Sequence, residues 1–209
     1  MFGRRSALSV AVLAVVLWIA GLVIGGTSDN LSDKATDEQT LAWVHGNSGA
    51  ILLGAWIFAL GSLAFIWFVG LLRGHLAERE GGPGTVSTIM FAGAVVAAGF
   101  SILTTGDVAS AINKDSVSSA TAGALHHVGD LFFIGAELAL ALAMIGFAVV
   151  ALRTGAFPRW WAYVTAVIAV VLLIGPIGWA ALIFGTPIWV LVTAWSMTRA
   201  PAAASPAAM

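Results

Sequence analysis

Residues 8–24 run for 17 positions without a charge, and comparable apolar runs recur as far as position 197. A backbone in hydrocarbon must satisfy its own N–H and C=O groups, and about 20 apolar residues in a helix cross a core of roughly 30 Å. The sequence therefore predicts an all-α fold, a polytopic transmembrane helical bundle.

Composition agrees. Hydrophobic residues make up 60% of the 209, charged residues 9%, and the mean hydropathy is +0.99. Soluble domains carry about 25% charged residues. One transmembrane domain over residues 1–200 accounts for the chain, with a proline-containing tail, 201–209, expected to be disordered. Cysteine is absent, which removes disulfides, thiolate metal sites and cysteine nucleophiles. A net charge of -1 without a basic block leaves nucleic acid without support as a partner. The first apolar run is longer than a signal-peptide core and lacks an A-x-A cleavage site, so it reads as a retained span.

Six spans are expected, at about 6–25, 50–72, 86–112, 122–152, 160–175 and 179–198. Thr36-Asp37-Glu38-Gln39 fits a capping box that opens a short helix. Gly46-Asn47-Ser48-Gly49 reads as a break before the second span. Gly175-Pro176-Ile177-Gly178 reads as the turn of the last hairpin. Gly21-x-x-x-Gly25 is a candidate close-packing face. With both termini inside, Arg4, Arg5, Arg73, Arg79, Arg153, Arg159 and Arg199 are all cytoplasmic, while Lys34 and Lys114 are outside. That asymmetry follows the positive-inside rule and points to the cell (plasma) membrane. The alternative, five spans plus a half-span starting at Thr186-Pro187, would put Arg199 outside.

Ionisable groups within such spans cost several kcal/mol unless paired or hydrated, so each is a candidate functional residue. The main cluster is His126-His127-Val128-Gly129-Asp130 followed by Glu137. His126, Asp130 and Glu137 share one helix face, with His127 on its flank. Asp130 is expected ~9 Å and Glu137 ~15–20 Å beyond the outer start of the helix. Asp107, on the preceding span, is expected opposite Asp130. Thr104 and Phe100 continue its face toward the level of Phe133 and Glu137, and His45 and Asn47 reach the outer level from the second span.

A carboxyl group at that depth costs least as the neutral acid, in which form Glu137 donates a proton. An Asp–His pair holds an imidazole in one tautomer as a general base. Asp130, Glu137, His126 and Asp107 are thus the candidate catalytic groups. His45, Asn47, Thr104, Phe100, Phe133 and His127 are the candidate substrate-binding groups. A divalent metal on the histidines and Asp107 and Asp130 is an alternative, although adjacent histidines on a straight helix do not converge on one ion. A haem between His45 and His126 is less favoured.

The segment Arg153-Thr154-Gly155-Ala156-Phe157-Pro158-Arg159-Trp160, followed by an apolar hairpin with Gly175-Pro176, resembles a broad group of small actinobacterial integral membrane proteins of unknown function. The likeness covers the last third of the chain. It implies six helices in the inner membrane and brings no activity with it.

No Walker loop, H-E-x-x-H, G-x-S-x-G or dinucleotide fingerprint occurs. The polar groups crowd the outer half, whereas residues 61–72 and 141–152 are almost wholly apolar. A transporter needs a path to both sides. The expected function is a membrane-embedded enzyme doing acid–base or metal-assisted chemistry, such as proton-initiated cyclisation, on a lipid-soluble substrate. A small proton-coupled transporter and an accessory subunit of a membrane complex are the alternatives, and the chain is compatible with an oligomer.

Overall fold

The structure, a computed structural model, describes residues 4–26, 31, 35–103 and 106–199, and among them only helices, turns and bends occur. In chain order these are α1 (Arg4–Gly26), α2 (Asp37–Glu80), α3 (Thr85–Leu103), α4 (Gly106–Ile112), α5 (Ser119–Thr154), α6 (Arg159–Leu172) and α7 (Gly175–Ala180). A π-helical turn (Ala181–Gly185) then leads into α8 (Thr186–Arg199). Five helical stretches are long and apolar enough to cross a membrane: Ser6–Gly25, Asp37–Glu80, Thr85–Ile112, Ser119–Thr154 and Gly175–Arg199. The apolar α6 is shorter, at 14 residues.

Local chemistry sets the helix ends. Thr36 Oγ1 accepts the Gln39 N–H while the Gln39 side chain accepts the Thr36 N–H, closing the expected capping box. Ser118 caps α5 by accepting the Thr121 N–H. Gly155, in the left-handed region at φ 66°, ends α5 and returns its N–H to the Ala151 carbonyl. Between α2 and α3, the carboxylate of Glu80 accepts the N–H groups of Val86 (2.8 Å) and Ser87 (2.9 Å), so the end of one helix satisfies the start of the next.

Two boundaries differ from expectation. No break occurs at Gly46–Gly49, because α2 is one helix of 44 residues, ~66 Å long at 1.5 Å per residue. Gly46 and Gly49 stand in open space, and Asn47 donates its side-chain amide to the Trp43 carbonyl within the same helix. The third expected span agrees with the apolar stretch Thr85–Ile112, described as α3 and α4 on either side of residues 104 and 105. The last turn lies at Leu173 and Ile174, two residues early, and Gly175-Pro176 instead open α7, with proline at its start where a missing N–H costs nothing. The chain from Gly175 then runs as one helical stretch through the π-helical turn to Arg199.

Packing explains the arrangement. α2 lies against α1, α3 and α5, α3 and α6 both pack on α5, and α8 returns to α1. Gly21 and Gly54 permit the tightest of these contacts. A Cβ built on Gly54 would lie 2.6 Å from the Gly25 nitrogen, and one on Gly21 would lie 2.7 Å from the Phe58 nitrogen. The small-residue face read from Gly21 and Gly25 is therefore used, between α1 and α2. α6 and α8 are joined by tryptophan–threonine bonds: Trp161 Nε1 donates to Thr193 Oγ1 (3.0 Å) and Trp189 Nε1 to Thr165 Oγ1 (3.2 Å).

α2 and α5 overhang the rest at one end. α5 has 36 residues, and Glu137 touches Gly178 at the turn-side end of α7, so 18 residues of α5 extend past that level, ~27 Å. The first third of α2 and the short α4 accompany this overhang through Val44, Ile51 and Ala111. Residues 201–209, Thr104 and most of the polar segment 27–34 lie outside the described residues, and so do the expectations attached to them.

Candidate functional site

The predicted cluster separates into three parts. In the overhang, His126 Nδ1 stands 3.1 Å from both carboxylate oxygens of Asp107, joining α4 to α5. A carboxylate only accepts, so Nδ1 carries the proton of this contact and Nε2 is left as the acceptor in the neutral ring. The partner of Asp107 is thus His126, and not Asp130 as its helix position suggested. His127 and Asp130 make a looser pair, 3.7 Å apart, with side chains 71% and 73% exposed. Asp130 therefore faces outward and does not join Glu137.

His45 is exposed on α2, while its neighbour Val44 supplies the contact with α4. Among the described residues no three His, Asp or Glu side chains come together as a metal-ligand set.

Glu137 stands alone. It is 3% exposed, and its carboxylate rests against Gly178, where a built Cβ would lie 2.8 Å from Oε1 and 3.0 Å from Oε2. Glycine at 178 is what gives the carboxylate room. Along α5, Glu137 is seven residues from Asp130 and eleven from His126, hence ~10 Å and ~16 Å away. The imidazoles and Asp130 stand on the overhang, and Glu137 lies at its foot.

One turn on either side of Glu137, Phe133 and Leu140 line a cavity of about 110 Å³. Trp18, Phe58 and Phe65 form an aromatic wall across from them, with Trp18 and Phe65 ring centres 5.0 Å apart. Ala97 and Ala98 of α3 leave the space open by being small. Leu182, Ile183, Thr186 and Pro187, around the π-helical turn, close the far side. An apolar cavity of about 150 Å³ takes up benzene, so this one suits a single ring or a branched aliphatic segment.

Of the candidate binding residues that are described, Phe133 alone reaches this space. Phe100 instead packs on Gly135 and beside Phe132, at 6.0 Å between ring centres. Trp18 is 9% exposed and donates to Ser62 Oγ at 3.1 Å. Nothing in the periodicity of an all-apolar helix marks which face meets a cavity, so Trp18, Phe58 and Phe65 were missed. The helix start expected at Thr186-Pro187 agrees with the first residue of α8, which follows directly on the π-helical turn. Proline has no N–H for the preceding turn, and the chain accommodates it with the π-helical turn, a form that recurs at functional sites.

Comparison with protein-family models, with curated proteins and with solved structures gives no match.

Proposed function

We propose that the chain is a six-span protein of the plasma membrane, with both termini cytoplasmic. It admits a lipid-soluble molecule to the cavity between α1, α2, α3, α5 and α8 and acts on it by proton transfer through Glu137. The arginine distribution supports the topology: Arg73, Arg79, Arg153 and Arg159 all flank the turns at the end opposite the overhang. The overhang is then extracytoplasmic, and the cavity lies in the outer half of the bilayer. The likeness of the Arg153–Trp160 segment to small actinobacterial membrane proteins fits this topology.

One observation carries the functional reading. A buried carboxyl group, with no hydrogen bond or ion pair among the described residues, sits on the same helix face as two residues that line the apolar cavity. Such a group is costly to keep unless its chemistry is used. A lipid-soluble substrate fits a cavity whose walls are almost entirely hydrocarbon and aromatic.

A second reading, ligand binding without chemistry, is favoured by the position of the Glu137 oxygens, which rest on Gly178 and not on the cavity wall. The test separates the two. Wild type and Glu137→Gln are purified in native lipid discs, and the extracted small molecules are compared by mass spectrometry, alongside Ala98→Phe, which fills the cavity. Enrichment of a molecule that is lost with Ala98→Phe supports the site. Conversion of that molecule on incubation with wild type but not with Glu137→Gln supports proton transfer. Equal conversion by Glu137→Gln overturns it, and an identical extract from Ala98→Phe overturns the site.

A further inference from the structure

The residues that line the cavity, Glu137 not among them, offer few hydrogen-bond donors, and this says what kind of head group it takes. Thr186 borders the cavity and is 4% exposed, and its hydroxyl donates to the Ala181 carbonyl at 3.3 Å. A hydroxyl has one proton, so with that proton on the Ala181 carbonyl, Thr186 Oγ1 has only lone pairs to offer a ligand. Trp18 has likewise committed its indole N–H, to Ser62 Oγ, and Ser62 in turn donates to the Phe58 carbonyl at 3.1 Å. Ser101, the other polar residue on the wall, is already engaged within the protein. Pro187 has no N–H at all.

We infer that the ligand carries a hydroxyl which donates to Thr186 Oγ1, so that the cavity selects lipid-soluble alcohols and phenols over the corresponding ketones, esters and ethers. The inference rests on the proposed apolar ligand site. An acceptor-only head group would enter beside Thr186 and find no proton to meet it, and a buried acceptor without a donor is disfavoured. The volume of about 110 Å³ accommodates the ring of a phenol, and any attached chain extends out of the cavity.

The chain in lipid discs is titrated with tritiated 4-hexylphenol and, separately, its methyl ether 4-hexylanisole, with protein-free discs subtracting the partition into lipid. Wild type is expected to bind the phenol about five- to tenfold more tightly, the worth of one neutral hydrogen bond. Thr186→Val removes that preference and leaves ether binding intact, and Thr186→Ser restores it. Equal affinities in wild type, or a preference that survives in Thr186→Val, overturn the hydroxyl assignment alone. Saturable binding of neither probe, or binding undiminished in Ala98→Phe, overturns the ligand site itself and the inference with it.

Discussion

The carboxylate of Glu137 on α5 rests on the bare α-carbon of Gly178 on α7, with 2.8 Å between Oε1 and the place a methyl group would occupy. The only buried carboxyl group among the described residues is thereby held at the turn of the last helical hairpin. The obstacle to a larger residue at 178 is the far end of a flexible side chain and not backbone.

Gly178→Ala is accordingly expected to move the Glu137 carboxylate with little loss of stability, about 1 kcal/mol or less, because the side chain turns aside. Gly54→Ala is the contrast. There the new methyl meets backbone atoms of Gly25 and Gly21 at 2.6–2.7 Å, so α1 and α2 must separate, at about 1–3 kcal/mol or more. Thermal unfolding of both variants in the same detergent ranks them. A larger loss for Gly178→Ala would show that the Glu137 contact is rigid.

Thr193→Val leaves the buried Trp161 N–H without its acceptor and is expected to cost about 1–3 kcal/mol. Thr165→Val removes the acceptor of Trp189 and also the donor to the Trp161 carbonyl, and it is expected to cost at least as much. Because both substitutions loosen the same α6–α8 contact, the double variant should fall short of the sum in a double-mutant cycle. Strict additivity would mean the two bonds act independently.

His126→Ala and His127→Ala should differ. His126 holds Asp107 across to α4, whereas His127 and Asp130 are an exposed pair within one helix, worth about 0–1 kcal/mol. Hydrogen exchange over residues 106–112 should quicken in His126→Ala and stay as in wild type in His127→Ala. Equal exchange in both would remove His126 as the tie between α4 and α5.

The topology is open to a direct check because the chain has no cysteine of its own. Single cysteines at Glu78 and Pro158 are expected to react with a membrane-impermeant maleimide only after the cells are opened. One at Ser116 should react in intact cells. Labelling of Pro158→Cys in intact cells would rule out six spans with cytoplasmic termini.

Helix existence was legible in the sequence because long apolar runs admit no other spanning form, and the capping box at Thr36 and the glycine face at Gly21 and Gly25 were local enough to read. The break expected at Gly46–Gly49 did not occur: glycine only weakens a helix by about 1 kcal/mol, and the contacts of Val44 and Ile51 with Ala111 carry α2 through. The candidate site was read as one stripe on α5, which locates residues around a helix axis but not above or below the neighbouring helices. The outer turn of α6 and α7 decides that Glu137 is enclosed and Asp130 is not. Two W-x-x-x-T segments, at Trp161–Thr165 and Trp189–Thr193, were present to be seen, and their meaning depends on the two helices running antiparallel.

A helix unbroken from Asp37 to Glu80 behaves as a strut with no hinge. If its outer end swings by about 5°, the far end ~66 Å away must shift by ~6 Å unless the rod bends. Glu80, at that far end, grips the first turn of α3 through two backbone N–H groups. A displacement at the Asp37 end would therefore reach the turn between α2 and α3 directly, by leverage.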